Sequence, residues 1–430
     1  MPLQLGRIAY VLFSVGLILS TSSVAPASEF HVVSDTIFRT FERDAGNGKI
    51  LKAFPAYEYL QLDYGSLKDP GLSLHAYGWE RVNLRDNYNK DDSEGELLYA
   101  YLQYVPPSRN YQVRAGRQYI FEGVARDSVD GIYGKAFLLP SVNVAAYAGL
   151  PSALESTDGL RGDLIYGGKI THSRPDLYDV GISYKFIANS DSRDEETVGT
   201  DLSLLFPYNV SLLGHSAYNL VNNGWGEHSY ELRLPRGQFE VRPFFQHFRY
   251  DDYFNNRSNS ANPFRFLQGT GNAMTVVGTE AYYYPAENWE FALRIKNYDY
   301  DKRFGTSQFY TLLTIWKWQI LSEIGAEFGR MQGHESENKY FLTRGYVFWN
   351  LAKGFVTGDL MYVNYDEAIY KKNGALFASI GAGSKFFNDS LSVKLSFDYS
   401  NDAYFDEDFR TMLNISYLLD KTFTSRPKKD

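Results

Sequence analysis

The chain has no cysteine among its 430 residues. Disulfides therefore cannot hold the fold together, and thiol catalysis, zinc ribbons, iron–sulfur ligation and covalent CxxCH haem attachment are excluded for this chain. After the first 27 residues no apolar run approaches the ~18 residues that a membrane-spanning helix needs, and mean hydropathy is −0.36. Helical membrane insertion is excluded on that ground. A formal charge of −8 gives no support for a nucleic-acid partner, and none is expected.

The first residues have the pattern of a secretory signal. Arg7 supplies the positive charge, residues 8–19 form a short apolar run, and Ala25-Pro26-Ala27 offers a small-residue cleavage site. We expect a cleaved signal peptide over residues 1–27. An uncut signal anchor is the alternative, and it would require a longer apolar run.

The remaining chain is polar on average but rich in aromatic residues and glycine, with 35 Tyr, 30 Phe and 36 Gly against 5 Met. Alternation of apolar and polar residues is clear over residues 391–399, where Leu391, Val393 and Leu395 share one face and Ser392, Lys394 and Ser396 share the other. Similar segments recur over the whole chain at the strand length of a tilted membrane crossing, which is longer than sandwich strands. The pattern predicts an all-β fold, a transmembrane antiparallel up-and-down β-barrel.

The strands and turns follow one another without a linker, which indicates a single barrel over residues 28–423 and a polar tail over residues 424–430. Short turns alternate with longer, charged loops, as in outer-membrane barrels. Counting them predicts about 22 strands, within a range of 18 to 24, with both chain ends on the short-turn side. The longer loops are expected at Asn83 to Glu96, Phe121 to Asp130, Pro151 to Leu160, Ser190 to Glu196, Asp251 to Gln268, Met331 to Glu337 and Asn401 to Asp408.

Motifs of enzymes are incomplete in this chain. The seven histidines have no metal-ligand spacing. Gly381 to Lys385 resembles half of a phosphate loop without the strand-loop-helix context, and Gly214 to Ala217 approaches a nucleophile elbow but continues with Tyr218 instead of Gly. We expect no enzyme activity, no cofactor and no metal site. A barrel with lipid-hydrolase or protease activity is the alternative, to be tested by an esterase assay.

The face opposite to the apolar one carries charges of both signs, which indicates a hydrated interior without a single-sign ring. We expect a passive outer-membrane channel of a Gram-negative cell. It would contact outer-membrane lipid and be open to small hydrophilic solutes. A barrel of this width is expected to be a monomer and not a trimer. The predicted pore-lining residues are Arg114, Arg117, Gln118, Lys169, Arg233, Glu240, Arg242, Arg294, Lys296 and Lys394.

A resemblance to a known family supports this reading. Residues 111–118 (YQVRAGRQ), followed by Asp130-Gly131-Ile132, resemble the RxGRQ…DG(V/I) stretch of alginate-export-like and related deltaproteobacterial porins. Residues 35–43 and 55–60 are similar to the first strands of the same group. The resemblance implies a porin-like channel in the outer membrane.

Barrels of this type also resemble the sheath component of porin–cytochrome conduits. That resemblance implies a second function, in which the barrel would surround periplasmic and extracellular multihaem cytochromes and serve electron transport. The best-known sheath proteins are longer and carry a CxxC near the amino terminus, whereas this chain has no Cys.

Overall fold

A computed structural model describes residues 28–44, 50–88, 91–152, 164–189, 192–253, 273–301, 305–403 and 407–423. The expected signal peptide 1–27 and tail 424–430, most of the expected loop 151–160 and residues 254–268 of the expected loop 251–268 lie outside these ranges. The strands are β1 (Ser28–Asp44), β2 (Ile50–Ala53), β3 (Pro55–Gly65), β4 (Gly71–Asn83), β5 (Ser93–Val105), β6 (Tyr111–Glu122), β7 (Ala125–Leu139), β8 (Val142–Ser152), β9 (Leu164–Arg174), β10 (Tyr178–Asn189), β11 (Ser192–Phe206), β12 (Val210–Asn219), β13 (Gly224–Arg236), β14 (Phe239–Arg249), β15 (Ala273–Ala286), β16 (Trp289–Tyr300), β17 (Thr306–Gln319), β18 (Ser322–Gln332), β19 (Lys339–Leu351), β20 (Gly354–Ile369), β21 (Lys372–Phe386), β22 (Leu391–Asn401) and β23 (Asp408–Phe423). One short helix, α1 (Tyr250–Tyr253), and two 3₁₀ turns, Pro207–Asn209 and Ser336–Asn338, complete the described elements.

The strands form one closed antiparallel barrel. Each strand pairs with the next along the chain, and β1 pairs with β23 from Ser28 opposite Phe423 to Thr40 opposite Thr411. β2 and β3 pair with the same strand β1 in one continuous register and are interrupted only at Phe54, so they count as one strand. The barrel therefore has 22 strands, and the predicted fold and strand number are confirmed. Closure leaves no sheet edge around the full circumference, so the backbone polar groups are satisfied by neighbouring strands.

The connections differ between the two ends of the barrel. Two-residue turns such as Glu287-Asn288, Ile320-Leu321 and Ala352-Lys353 lie at the end that also holds both chain termini, whereas connections 84–92 and 250–272 lie at the other end. The chain ends are on the short-turn side, as predicted.

Two predicted loops are strand instead. β6 continues to Glu122 and β7 resumes at Ala125, so the region expected as the loop 121–130 is a hairpin with a tight turn at Gly123-Val124. β11 already begins at Ser192, inside the expected loop 190–196. Their charged side chains suggested solvated loops, but in the structure these charges are paired inside the barrel, as shown below.

Candidate functional site in the barrel interior

β9 and β10 show which face of the sheet is the inner one. Ile170 and Ile182 form a cross-strand pair and are 58% and 61% exposed, which fits an outer face toward lipid. Lys169 and Ser183 pair on the opposite face, and the Ser183 hydroxyl accepts a hydrogen bond of 3.1 Å from the backbone N–H of Val124, which is far away in the sheet. Strands that are not neighbours can touch only across the concave side, so Lys169 and Ser183 face the interior.

The end of the β6–β7 hairpin, residues 118–129, leaves the barrel wall and folds into the interior; we call it the inner hairpin. Among the described residues, β6 pairs with β5 only over Val113–Arg117, and the pairing of β7 with β8 ends at Ser128 opposite Ser152. Within residues 118–129 the two arms still pair with each other, from Gln118 opposite Val129 to Glu122 opposite Ala125. The hairpin keeps its own hydrogen bonds while it gives up the pairing with β5 and, beyond Ser128, the pairing with β8.

Two glycines allow the bend at the base of the inner hairpin. Gly116 and Gly131 lie directly opposite each other in the ladder, and Gly116 has a φ of 125°. A Cβ on Gly116 would lie 2.3 Å from the carbonyl oxygen of Ala100, and one on Gly131 would lie 2.1 Å from that of Ala148. The Gln118 side-chain amide donates to the Gly131 carbonyl at 3.3 Å. The RxGRQ…DG stretch is thus a bend that only glycine can supply at its centre.

We expect Gly116→Ala to destabilise the barrel, because the substitution adds both a steric clash and an unfavourable backbone conformation. The loss should be about 1 to 3 kcal/mol. The measurement is the temperature above which the protein, heated in SDS, migrates in the gel as the unfolded form and no longer as the folded form. Gly345→Ala is the matched control, because a Cβ there has its nearest neighbour 4.0 Å away; equal effects of the two substitutions would contradict the assignment of the bend.

Apolar side chains fill the space between the inner hairpin and the wall. Ile120, Ala125 and Val129 are at most 1% exposed. They form one buried cluster with wall residues that include Ala145, Tyr147, Ile165 and Ile187. This cluster is a small hydrophobic core inside the barrel, and its burial stabilises the folded-in position of the hairpin.

Ion pairs connect the tip of the hairpin to β10 and β13. Lys185 of β10 is ion-paired with Asp127 of the hairpin, at 3.2 Å, and with Glu195 of β11. Arg126 lies 3.6 Å from Glu227 of β13 and 3.2 Å from the ring Nε2 of His215 on β12. The inner hairpin therefore extends along the inner wall from β6 and β7 to β13.

Helix α1 covers the adjoining part of the wall. Asn219 donates a hydrogen bond of 2.7 Å from its side chain to the backbone carbonyl of Asp252, and Arg126 of the inner hairpin donates to the Tyr253 hydroxyl at 3.4 Å. Burial raises the pKa of the Asp252 carboxyl above its ordinary value, although Arg249, at 3.3 Å, lowers it. The hairpin and the start of the connection 250–272 thus touch inside the barrel.

Seven of the predicted pore-lining residues lie on the inner face, five of them in two groups. Arg233 and Arg242 both contact Glu240, and the Arg233 guanidinium binds its carboxylate through two bonds of 2.8 and 2.7 Å. Arg294 and Lys296 lie 3.8 and 3.9 Å from Glu280. Lys169 lies 3.0 Å from Asp201, and Lys394 is opposite Asn414.

Arg114 and Gln118 share a face of β6, but Arg117 lies on the other one. Arg114 donates a hydrogen bond of 2.8 Å to Gln103 and lies over the rings of Tyr101 and Tyr133. Gln118 is 1% exposed beneath the inner hairpin.

Arg117 instead binds Asp130 through two bonds of 2.7 and 2.8 Å and donates to the Leu97 carbonyl of β5. Arg117 and Arg114 therefore lie on opposite faces of β6, because residues three apart in a strand point to opposite sides.

The contacts that hold the hairpin were not apparent from the sequence. Asp127 and Arg126 were placed in an external loop, and Glu195 in another. The facing glycines 116 and 131 were a usable signal, since two glycines in one strand pair suggest a bend or a close backbone approach.

In the described ranges, no three His, Asp or Glu side chains are grouped so that they could hold a metal ion. No helix of the described part is long and apolar enough to cross a membrane.

Comparison with known proteins found similarity in structure only. No family model matches the chain, and no curated protein matches its sequence. Solved structures similar to this chain include OpdK of Pseudomonas aeruginosa with vanillate (10% identity, 92% of this chain and 99% of that chain, TM-score 0.46). OccAB2 of Acinetobacter baumannii has 10% identity, covers 91% of this chain and 98% of that chain, and has a TM-score of 0.46. A BenF-like porin of Pseudomonas fluorescens Pf-5 has 8% identity, 92% and 99% coverage and a TM-score of 0.40.

Proposed function

We propose that the protein is an outer-membrane channel through which small hydrophilic solutes diffuse. The observation that carries the proposal is the division of the closed barrel into an apolar outer face and an inner face with charged residues of both signs. The outer face suits lipid, with residues such as Ile170, Ile182 and Leu395. The inner face suits water, because its charges at Lys169 and Glu240 would be costly against hydrocarbon.

The inner hairpin gives this channel a restricted interior. A barrel of 22 strands has a backbone diameter of about 44 Å when its strands are ~4.8 Å apart and tilted by ~40°. Such barrels need a filling if they are not to pass large solutes. Residues 118–129 and α1 occupy part of that space, and they come from the chain itself.

Planar-bilayer recording of the purified protein tests the proposal. We expect stepwise conductance increases, and weak preference between K⁺ and Cl⁻ because acidic and basic residues neighbour one another on the inner face. A protein sample unfolded before addition is the control. Absence of conductance steps would refute the channel, and a reversal potential near that of a single ion would contradict the mixed inner face.

The sheath of a cytochrome conduit remains a second prediction, and no feature of the structure favours it. A multihaem partner would need the interior that the inner hairpin and α1 partly occupy. Haem staining of the barrel purified from its native membrane tests it. Co-purifying haem protein would support the sheath, and a haem-free barrel that conducts would contradict it.

A further inference from the structure

Three adjacent strands carry a series of aromatic rings on the inner face. Tyr57 and Tyr59 of β3, Tyr77 and Trp79 of β4, and Tyr99 and Tyr101 of β5 share this face, and all six are half-buried; we call them the inner aromatic track. The inner face of β21 and β22 has a different character, with Ser379, Ser396 and Lys394. Aromatic residues of a barrel are expected on its outer girdles, so a cluster on the inner face needs another reason.

The contacts between these rings follow one another from the loop end of the barrel toward its short-turn end. Tyr57 stacks on Tyr59 with ring centres 6.4 Å apart, and Tyr59 lies 6.4 Å from Trp79 on the next strand. Farther from the loop end, Tyr77 lies 5.6 Å from Tyr99, which lies 5.7 Å from Tyr101. The track therefore leads from the loop end toward the short-turn end.

Polar groups accompany the lower end of the track. His75 stacks on Tyr101 at 4.9 Å, and its ring nitrogen lies 2.6 Å from Asp63. The guanidinium of Arg114 lies 5.4 Å from the centre of the Tyr101 ring and is bonded to Gln103. Donors and acceptors of both charge signs thus lie at the edge of the aromatic surface.

The inner hairpin adds rings beside this surface. Tyr119 and Phe121 stack at 5.1 Å on the hairpin face opposite to its buried one, and Phe121 is 70% exposed. Arg117, two residues before Tyr119, donates to the Leu97 carbonyl of β5 at 3.1 Å. The exposed side of the hairpin therefore begins next to the third strand of the track.

We infer that the inner aromatic track is a binding path for neutral saccharides, an inference that rests on the proposed channel function. A sugar ring has an apolar face of C–H groups, which packs on aromatic rings, and hydroxyls at its edge, which need donors and acceptors. The track supplies rings in succession with such groups beside them. A charged solute would find His75 and Asp63 already paired with each other.

The test measures how far maltopentaose blocks the channel current in planar bilayers. Two compounds are compared with it: sorbitol, which has hydroxyls but no ring, and benzoate, which is a planar aromatic anion. We expect maltopentaose to reduce the current in a concentration-dependent way and sorbitol to leave it unchanged. Tyr99→Leu, which keeps an apolar side chain, should raise the half-blocking concentration roughly tenfold, and Tyr99→Phe should nearly preserve it. Tyr298→Ala, on the inner face of β16, is the matched control, and maltopentaose should block its current as it blocks the current of the unmodified protein.

The outcomes separate this inference from the channel itself. Normal conductance without block by maltopentaose, or an equal effect of Tyr99→Leu and Tyr298→Ala, would overturn the saccharide path and leave the channel standing. Block by benzoate alone would overturn the assigned solute class. Absence of any conductance would overturn the channel, and the path with it.

Discussion

Replacing residues 119–128 by Asn-Gly is expected to raise single-channel conductance roughly two- to threefold, because the inner hairpin occupies part of the barrel's cross-section. Gln118 and Val129 already face each other in the ladder, so a two-residue turn can join them without a change of register. Planar-bilayer recording under identical salt measures the effect.

The control for this replacement is a matched shortening of a hairpin that stays in the wall. Residues 365–373 lie between Asn364 and Gly374, which also face each other in their ladder, and an Asn-Gly turn there should leave conductance unchanged. Unchanged conductance after removal of residues 119–128 would mean that the hairpin lies outside the conducting path.

A second, independent control tests the position of the hairpin tip. A Cβ on Gly199 would lie 2.3 Å from a methyl group of Val124, so Val124→Cys with Gly199→Cys should form a disulfide. Because the chain has no cysteine of its own, a gel shift on oxidation reports this pair alone. Failure of the pair to oxidise would contradict the folded-in hairpin.

Lys185→Met is expected to lower the free energy of unfolding by about 3 to 5 kcal/mol, because it leaves two carboxylates buried without their cation. The side chains of Lys185, Asp127 and Glu195 are 9%, 18% and 14% exposed. Denaturant unfolding in detergent micelles, followed by tryptophan fluorescence, gives the measurement.

Two further variants separate this effect from a general loss of charge. Neutralising both partners by Asp127→Asn and Glu195→Gln in the Lys185→Met background should restore most of the stability. Lys68→Met removes a lysine that is 84% exposed and 3.4 Å from Glu29, and it should cost less than about 1 kcal/mol. Equal losses for Lys185→Met and Lys68→Met would refute a buried charge cluster.

Part of the interior could be read from alternation alone. Once a strand is recognised, every second residue faces inward, and Arg233, Glu240, Arg242, Arg294 and Lys296 follow directly. Arg117 shows what alternation alone leaves open: it lies on the opposite face of β6 from Arg114, where the strand leaves the wall to form the inner hairpin. The tyrosines of β3 to β5 were counted in the composition, but only the pairing of strands shows that their rings meet on one inner surface.

The sequence by itself determined the antiparallel barrel, a strand number within 18 to 24, and the end of the barrel at which the first strand begins and the last one ends. These properties follow from local alternation and turn spacing, and both are properties of neighbouring residues. Only the tertiary structure decided what fills the interior. The fold of residues 118–129 against β10 to β13, and the pairing of Lys185 with Asp127, depend on contacts between residues distant in the chain, for which a repeating pattern carries no signal.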